Sequence, residues 1–189
     1  SYDKKLEVAF ISVNSVCGLN CIMCDIGIKD TSSSLYKHLK GDSKYNMTTE
    51  DFLKILKNLE GRVRTISFIG TEALLNKNIF SFITMAKEHG FYVTLTTNGI
   101  NLENNVKRLV ETNLDEIWYS IDGILKKHDT IRGRDNLFDS FEKGIMELDL
   151  LKKQNLTNKP LVNISSTIIP SVNEKGLLEF VKYFEKYSV

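Results

Sequence analysis

Five short runs rich in β-branched and aromatic residues, each followed by a segment with helical spacing, set the tightest limit on what this chain can fold into. The runs lie at 6–12, 63–69, 92–97, 116–121 and 161–169. Helical segments are predicted at 48–61, 77–89, 102–112, 138–153 and 174–187. The first of these shows the logic. Thr48 and Asp51 form a capping-box pair, Phe52, Ile55, Leu56 and Leu59 share one face, and Gly61 supplies a stop. Strict alternation predicts a mainly parallel sheet with right-handed crossovers, either an open doubly wound sheet or a full or partial (βα) barrel. In both, chemistry gathers at the carboxyl ends of the strands.

The 189 residues are 42% hydrophobic, enough for one sizeable core and so one domain, 1–189. Lys plus Arg number 25 against 24 Asp plus Glu, and a net charge of +1 gives no field that would draw nucleic acid or an anionic membrane. No apolar run approaches the roughly 20 residues that span a bilayer. The opening "SYDKKLEVAF" lacks the apolar centre of a signal peptide, so a cytoplasmic location is expected. The polar stretch 29–46 predicts a loop beside the rim formed by those strand ends, a lid or a disordered connection.

All three cysteines, Cys17, Cys21 and Cys24, fall in the segment after the first run, with the spacing CxxxCxxC. An odd number of thiols in one short segment argues against a disulfide framework and for metal binding. On one straight helix the outer two would stand about 10.5 Å apart along the axis, too far for one centre, so the segment must wrap. Three converging thiolates suit zinc or an iron-sulfur cluster. A closed zinc site needs a fourth ligand, and His38, His89 and His128 lack finger-like spacing. A cubane held by three cysteines leaves one iron open for an outside ligand, and an open iron means chemistry.

The motif in that position resembles the signature of the radical S-adenosylmethionine (radical SAM) superfamily, with Met23 where the family usually has an aromatic residue. The resemblance implies a partial (βα) barrel of about six units. It also implies a 4Fe-4S cluster on Cys17, Cys21 and Cys24 whose open iron binds S-adenosylmethionine and cleaves it to a 5′-deoxyadenosyl radical. "FIGTEALL" resembles the family's GGEP segment, which receives the cosubstrate's ammonium group; Gly70 and Glu72 match. Thr71 and Ala73 replace its second glycine and its proline, leaving the backbone less free to take positive φ at one and less fixed at the other.

The later strand ends continue the resemblance. "LTTNG" offers Asn98, and "WYSIDG" offers Ser120 and Asp122, which alternate to one side and suit ribose hydroxyls. "HDTIRGRDNLFDSFEKGI" is similar to the branch that contains the molybdenum-cofactor GTP cyclase and several peptide-modifying enzymes. It offers Arg132 as a fork for the cosubstrate carboxylate, with Arg134 as its competitor. On the fifth run Asn163, Ser165 and Thr167 share a face, and Asn163 is assigned to the ribose. The implied partners are a one-electron donor such as a flavodoxin or ferredoxin and a peptide or small-molecule substrate. The visible chain holds five units, so the resemblance implies a sixth, and any later domain, beyond it. The competing reading is a non-catalytic iron-sulfur or zinc module with a structural or redox-sensing role.

Overall fold

The computed structural model describes residues 6–40 and 45–187. Five strands form one sheet: β1 (Leu6–Ser12), β2 (Val63–Ile69), β3 (Tyr92–Thr97), β4 (Glu116–Ser120) and β5 (Leu161–Ser165). All neighbours are parallel and the order is β1-β2-β3-β4-β5. A doubly wound sheet reverses its order at a switch point; a barrel adds each strand beside the last. The unbroken order therefore decides for the partial barrel.

The register explains how two faces of one sheet acquire different jobs. Ile11, Phe68, Leu95, Ile117 and Val162 lie in one hydrogen-bonded row, and all five are buried in the core beneath the helices. One residue earlier the row reads Phe10, Ser67, Thr94, Glu116 and Leu161, on the opposite, concave face. That face is open, with Phe10 68% exposed.

Most of the helices pack their apolar residues on the convex side, while the first and the fifth lie beside the cysteine loop at the carboxyl rim. The helices are α1 (Ser34–Lys40), α2 (Thr49–Leu59), α3 (Ile79–Glu88), α4 (Val106–Glu111), α5 (Lys126–Arg132), α6 (Leu137–Gln154) and α7 (Leu177–Phe184). Thr48 caps α2 as its spacing predicts: its hydroxyl accepts from Asp51 N, and the Asp51 carboxylate accepts from Thr48 N. Phe52 and Leu56 point from that helix into the core, where Phe52 stacks on Phe82 of α3 at 4.6 Å between ring centres. No helix among the described residues is long and apolar enough to cross a membrane.

Two helices depart from the sequence expectation. α1 forms inside the polar stretch read as a loop, because Ser33 caps it through Tyr36 N and anchors it to Asp25; residues 41–44 of that stretch lie outside the described residues. α5 forms where His128 and Arg132 were placed in irregular chain. Its buried residues are His128, Ile131 and Arg132, two of them polar, so no apolar stripe announces it. β4 and β5 also stop earlier than expected, at Ser120 and Ser165.

At the amino ends of the strands Asp115 ties three elements together. Its buried carboxylate takes Val93 N of β3 and the ammonium groups of Lys87 on α3 and Lys159 before β5. Burial alone would raise its pKa, but the Lys159, Lys87 and Val93 donors hold it below the usual carboxylate value. Asp115→Asn is expected to lower the unfolding free energy by about 2–3 kcal/mol in urea titration, since it leaves two lysines without their counter-charge. Glu50→Gln, which breaks an exposed pair with Lys54 on α2, should change it by less than about 0.5 kcal/mol.

Candidate functional site

At the carboxyl ends of the strands a cavity of about 460 Å³ opens, and Cys17, Cys21 and Cys24 all border it. The cysteine loop is shaped by α5. Asn20 N donates to the Arg132 carbonyl at 3.2 Å and Ile22 N to the Ile131 carbonyl at 3.0 Å, so the last turn of α5 holds the loop by its backbone. Gly133 makes the approach possible: it closes α5 at φ +66°, and a Cβ there would stand 2.5 Å from the Asn20 carbonyl oxygen. Among the described residues no three His, Cys, Asp or Glu side chains converge on a point where a single ion would sit. Burial raises the pKa of the Cys17 and Cys21 thiols, although backbone at Leu19 and the charge of Arg132 pull the other way.

Four of the residues expected at the site line this cavity with the thiols: Gly70, Asn98, Ser120 and Arg132. Gly70 sits at φ +117°, and any Cβ would lie 2.5 Å from the Ser12 hydroxyl. Positive φ is thus required at position 70 and not at Thr71, whose side chain does other work. Its hydroxyl bonds the Asn14 carbonyl and side-chain oxygen, pinning the β2 turn to the β1 turn. Arg132 is 9% exposed, while Arg134 lies on the surface. The Arg132 Nη1 lies 3.9 Å from Cys21 Sγ, and its Nε pairs with Asp122 in a charge contact rather than an aligned hydrogen bond.

The other three sit elsewhere. Glu72 is 1% exposed and turned from the cavity, because its carboxylate is committed to Leu74 N, the Thr97 hydroxyl and Asn98 N at 2.8–3.0 Å. It caps a 3-10 turn at Ala73–Leu75 by accepting from Leu74 N. Asp122 is equally buried. β4 ends at Ser120, so the alternation that would aim both side chains into the cavity lapses; Asp122 instead accepts from Thr167 N at 2.7 Å and pairs with Arg132. Asn163 lies down the concave face, opposite Trp118 in register, with its amide 3.4 Å from Glu116.

Several site residues escaped the sequence reading. Thr96 and Thr97 line the cavity from β3, and Leu19, Ile26 and Leu35 wall it with apolar surface. Thr167, expected on β5, lines the cavity from the loop beyond it. Asn173 holds that loop by donating to the Asp122 and Thr167 carbonyls and accepting from Ile169 N. His128 accepts from Asp122 N through Nδ1, and burial, helped by the Arg132 charge, lowers its pKa to about 3, so it is a neutral support.

The sequence profile of the Radical SAM superfamily matches residues 11–184. Among curated proteins, the chain is 28% identical over 182 residues to the 7,8-dihydro-6-hydroxymethylpterin dimethyltransferase of Methanocaldococcus jannaschii, covering 93% of this chain and 33% of that protein. It is 28% identical over 183 residues to the GTP 3′,8-cyclase of Clostridium acetobutylicum, covering 95% of this chain and 53% of that one. The chain thus spans about a third to a half of these relatives. Among solved structures, anSMEcpe with bound AdoMet and a peptide superposes with a TM-score of 0.67 at 21% identity, over 96% of this chain and 48% of that one. TYW1 with a lysine-pyruvate adduct gives 0.59 at 18%, over 96% and 59%. At these identities the two structures establish a shared fold.

Gly133→Ala should loosen the cysteine loop: amide exchange at Asn20 and Ile22 should speed at least tenfold by mass spectrometry while Val93 on β3 is unchanged. Glu72 supplies a pH test. Burial outweighs its three hydrogen bonds and the Arg132 charge, and pushes its pKa from 4.5 up to about 7. The folded state therefore favours the protonated acid; its contribution is whole below the unfolded value and is lost as pH rises through 7. The stability of the wild type relative to Glu72→Gln should fall by about 3 kcal/mol across that window in urea titrations. A constant difference would place the carboxyl's pKa at its ordinary value.

Proposed function

This chain belongs to the radical SAM superfamily, and on that premise we propose that it is the catalytic core of an enzyme that cleaves S-adenosylmethionine at a 4Fe-4S cluster held by Cys17, Cys21 and Cys24. One observation carries this reading: three thiols border one cavity at the carboxyl rim of a parallel partial barrel, with donors directed at two of the sulfurs. Those donors are Asn98 Nδ2, 3.6 Å from Cys17, and Arg132 Nη1, 3.9 Å from Cys21. Donors at sulfur suit anionic thiolates. A lone zinc ion needs its sulfurs about 2.3 Å from one point. Thiols arranged around a volume suit a polynuclear cluster instead.

When bound, such a cluster supplies the electron that splits the cosubstrate and yields the radical that takes hydrogen from a substrate. The rest is the work of this chain's residues. The Gly70 and Thr71 backbone forms the wall for the cosubstrate's ammonium group, with Glu72 acting beneath it as the brace of that turn. The Arg132 guanidinium faces the carboxylate, held in place by Asp122. Ser120 and Thr167 present hydroxyls for the ribose, with Asn163 two residues below Ser120 on the same face and level in register with Thr96 of the cavity wall. Leu19, Met23, Ile26 and Leu35 keep water off the thiols.

The electron comes from an outside donor, a flavodoxin or ferredoxin in a cytoplasmic setting that keeps the thiols reduced. The substrate class is a peptide or a small molecule, in keeping with the fold shared with anSMEcpe, which was solved with a bound peptide.

The test is anaerobic reconstitution with iron and sulfide, then dithionite and S-adenosylmethionine, with 5′-deoxyadenosine measured by chromatography. Cys24→Ala should abolish the nucleoside. Arg132→Lys, which keeps the charge and loses the fork, should raise the apparent KM for the cosubstrate at least tenfold. Nucleoside formation that survives Cys24→Ala would sink the assignment, and a stable cluster that yields no nucleoside either in this chain or in the full-length protein would identify a non-catalytic module.

A further inference from the structure

Asn98 is buried, 6% exposed, and its backbone N–H, side-chain oxygen and side-chain nitrogen each have a defined partner. Its backbone N–H donates to Glu72 Oε2 at 2.8 Å, and its side-chain Oδ1 accepts from Ile100 N at 2.9 Å. The second bond settles which way the amide faces, since only the oxygen can accept from an N–H. The Nδ2 group is consequently aimed at Cys17 Sγ, 3.6 Å away. The neighbouring residues lock this geometry: Gly99 N donates to the Thr97 hydroxyl, and that hydroxyl donates to Glu72 Oε1. A buried carboxylate, two backbone amides and a hydroxyl thus hold one side-chain N–H against one sulfur.

The three thiols are consequently not equivalent. Cys17 faces a neutral amide donor and Cys21 a guanidinium, while the Cys24 sulfur takes no hydrogen bond among the described residues. Arg132 has other calls on its charge, from Asp122 and from the anionic group that the cavity is proposed to take. Among the described residues the side-chain N–H group of Asn98 has none.

We propose that Asn98 is a positioning residue that sets the reduction potential of the cluster through its N–H to Cys17, with Glu72 as the group that aims it. The proposal rests on the cluster reading given above. Reduction adds one electron, delivered by the external donor, and no bond is made or broken in the step. The reduced cluster and its thiolates carry one more negative charge, so a fixed N–H donor at a sulfur stabilises that state more than the oxidised one. The potential is thereby higher than the three thiolates alone would give.

The test is a redox titration of the reconstituted cluster followed by electron paramagnetic resonance, with iron and sulfide counted in every sample. Asn98→Asp keeps the acceptor for Ile100 N and replaces the donor with an oxygen. At the wild-type midpoint its reduced-to-oxidised ratio should fall at least tenfold, which is about 59 mV for one electron. Asn98→Ala should move the same way by less, and Asn58→Ala on the exposed face of α2 should not move. A second measurement uses the wild type alone: spin-echo spectra of the reduced cluster, made with asparagine labelled with ¹⁵N in its side chain, should show a nitrogen coupling that Asn98→Ala removes.

Fully loaded Asn98 variants within about twofold of the wild-type ratio overturn the inference and leave the cluster reading standing. A wild type that assembles no cluster overturns both. If the variants load no iron, the nitrogen coupling decides alone, its presence upholding the inference and its absence ending it.

Discussion

The docking of the cysteine loop on the last turn of α5 is the contact on which the rest of the site depends. Two backbone hydrogen bonds, from Asn20 and Ile22 to the carbonyls of Arg132 and Ile131, bring a loop from the first βα unit against a helix from the fourth. The same residue, Arg132, then turns its side chain inward to Asp122 and Cys21. One helix terminus therefore fixes both where the thiols stand and where the guanidinium meets them. The unusual requirement is at Gly133, where left-handed backbone and a close carbonyl together leave no room for a side chain.

Around that contact the polar residues form two buried braces rather than a ring of ligands. Glu72 joins the ends of β2 and β3 by binding Leu74, Thr97 and Asn98, and Asp122 joins the ends of β4 and β5 by binding Thr167 and Arg132. In each case a carboxylate sits beneath the rim and satisfies backbone donors that the ending strands would otherwise leave unpaired. The cavity wall is made by the residues these braces hold: Asn98, Ser120, Thr167 and Arg132. The indirect arrangement also accommodates Thr71 and Ala73. Only Gly70 needs positive φ, and Thr71 adds a bond to Asn14 that a glycine would lack.

Much of the fold was legible along the chain. The five strands start where their β-branched runs predict, and Thr48 caps its helix through Asp51, because alternation and capping depend on neighbours within a few residues. α5 was not legible, since a seven-residue helix that buries a histidine and an arginine carries no apolar period. Nor was the helix at Ser34–Lys40, whose cap, Ser33, is tied to Asp25 in the cysteine loop. Thr96 and Thr97 were quoted within a motif without being singled out, because a threonine on a strand reads first as a β former.

The sequence by itself determined the parallel βα order, the loop that carries all three cysteines, and the rim on which Gly70, Asn98, Ser120 and Arg132 gather. Those follow from periodicity and from the rule that βα chemistry collects at strand ends, both local properties of the chain. Only the tertiary structure decided which of the marked residues face the cavity. Glu72 and Asp122 turn beneath it and Asn163 stays down the concave face, while Arg132 rather than Arg134 reaches the thiols. That choice depends on where each strand stops pairing and on which backbone groups are left needing a partner. Both are settled between segments distant in sequence.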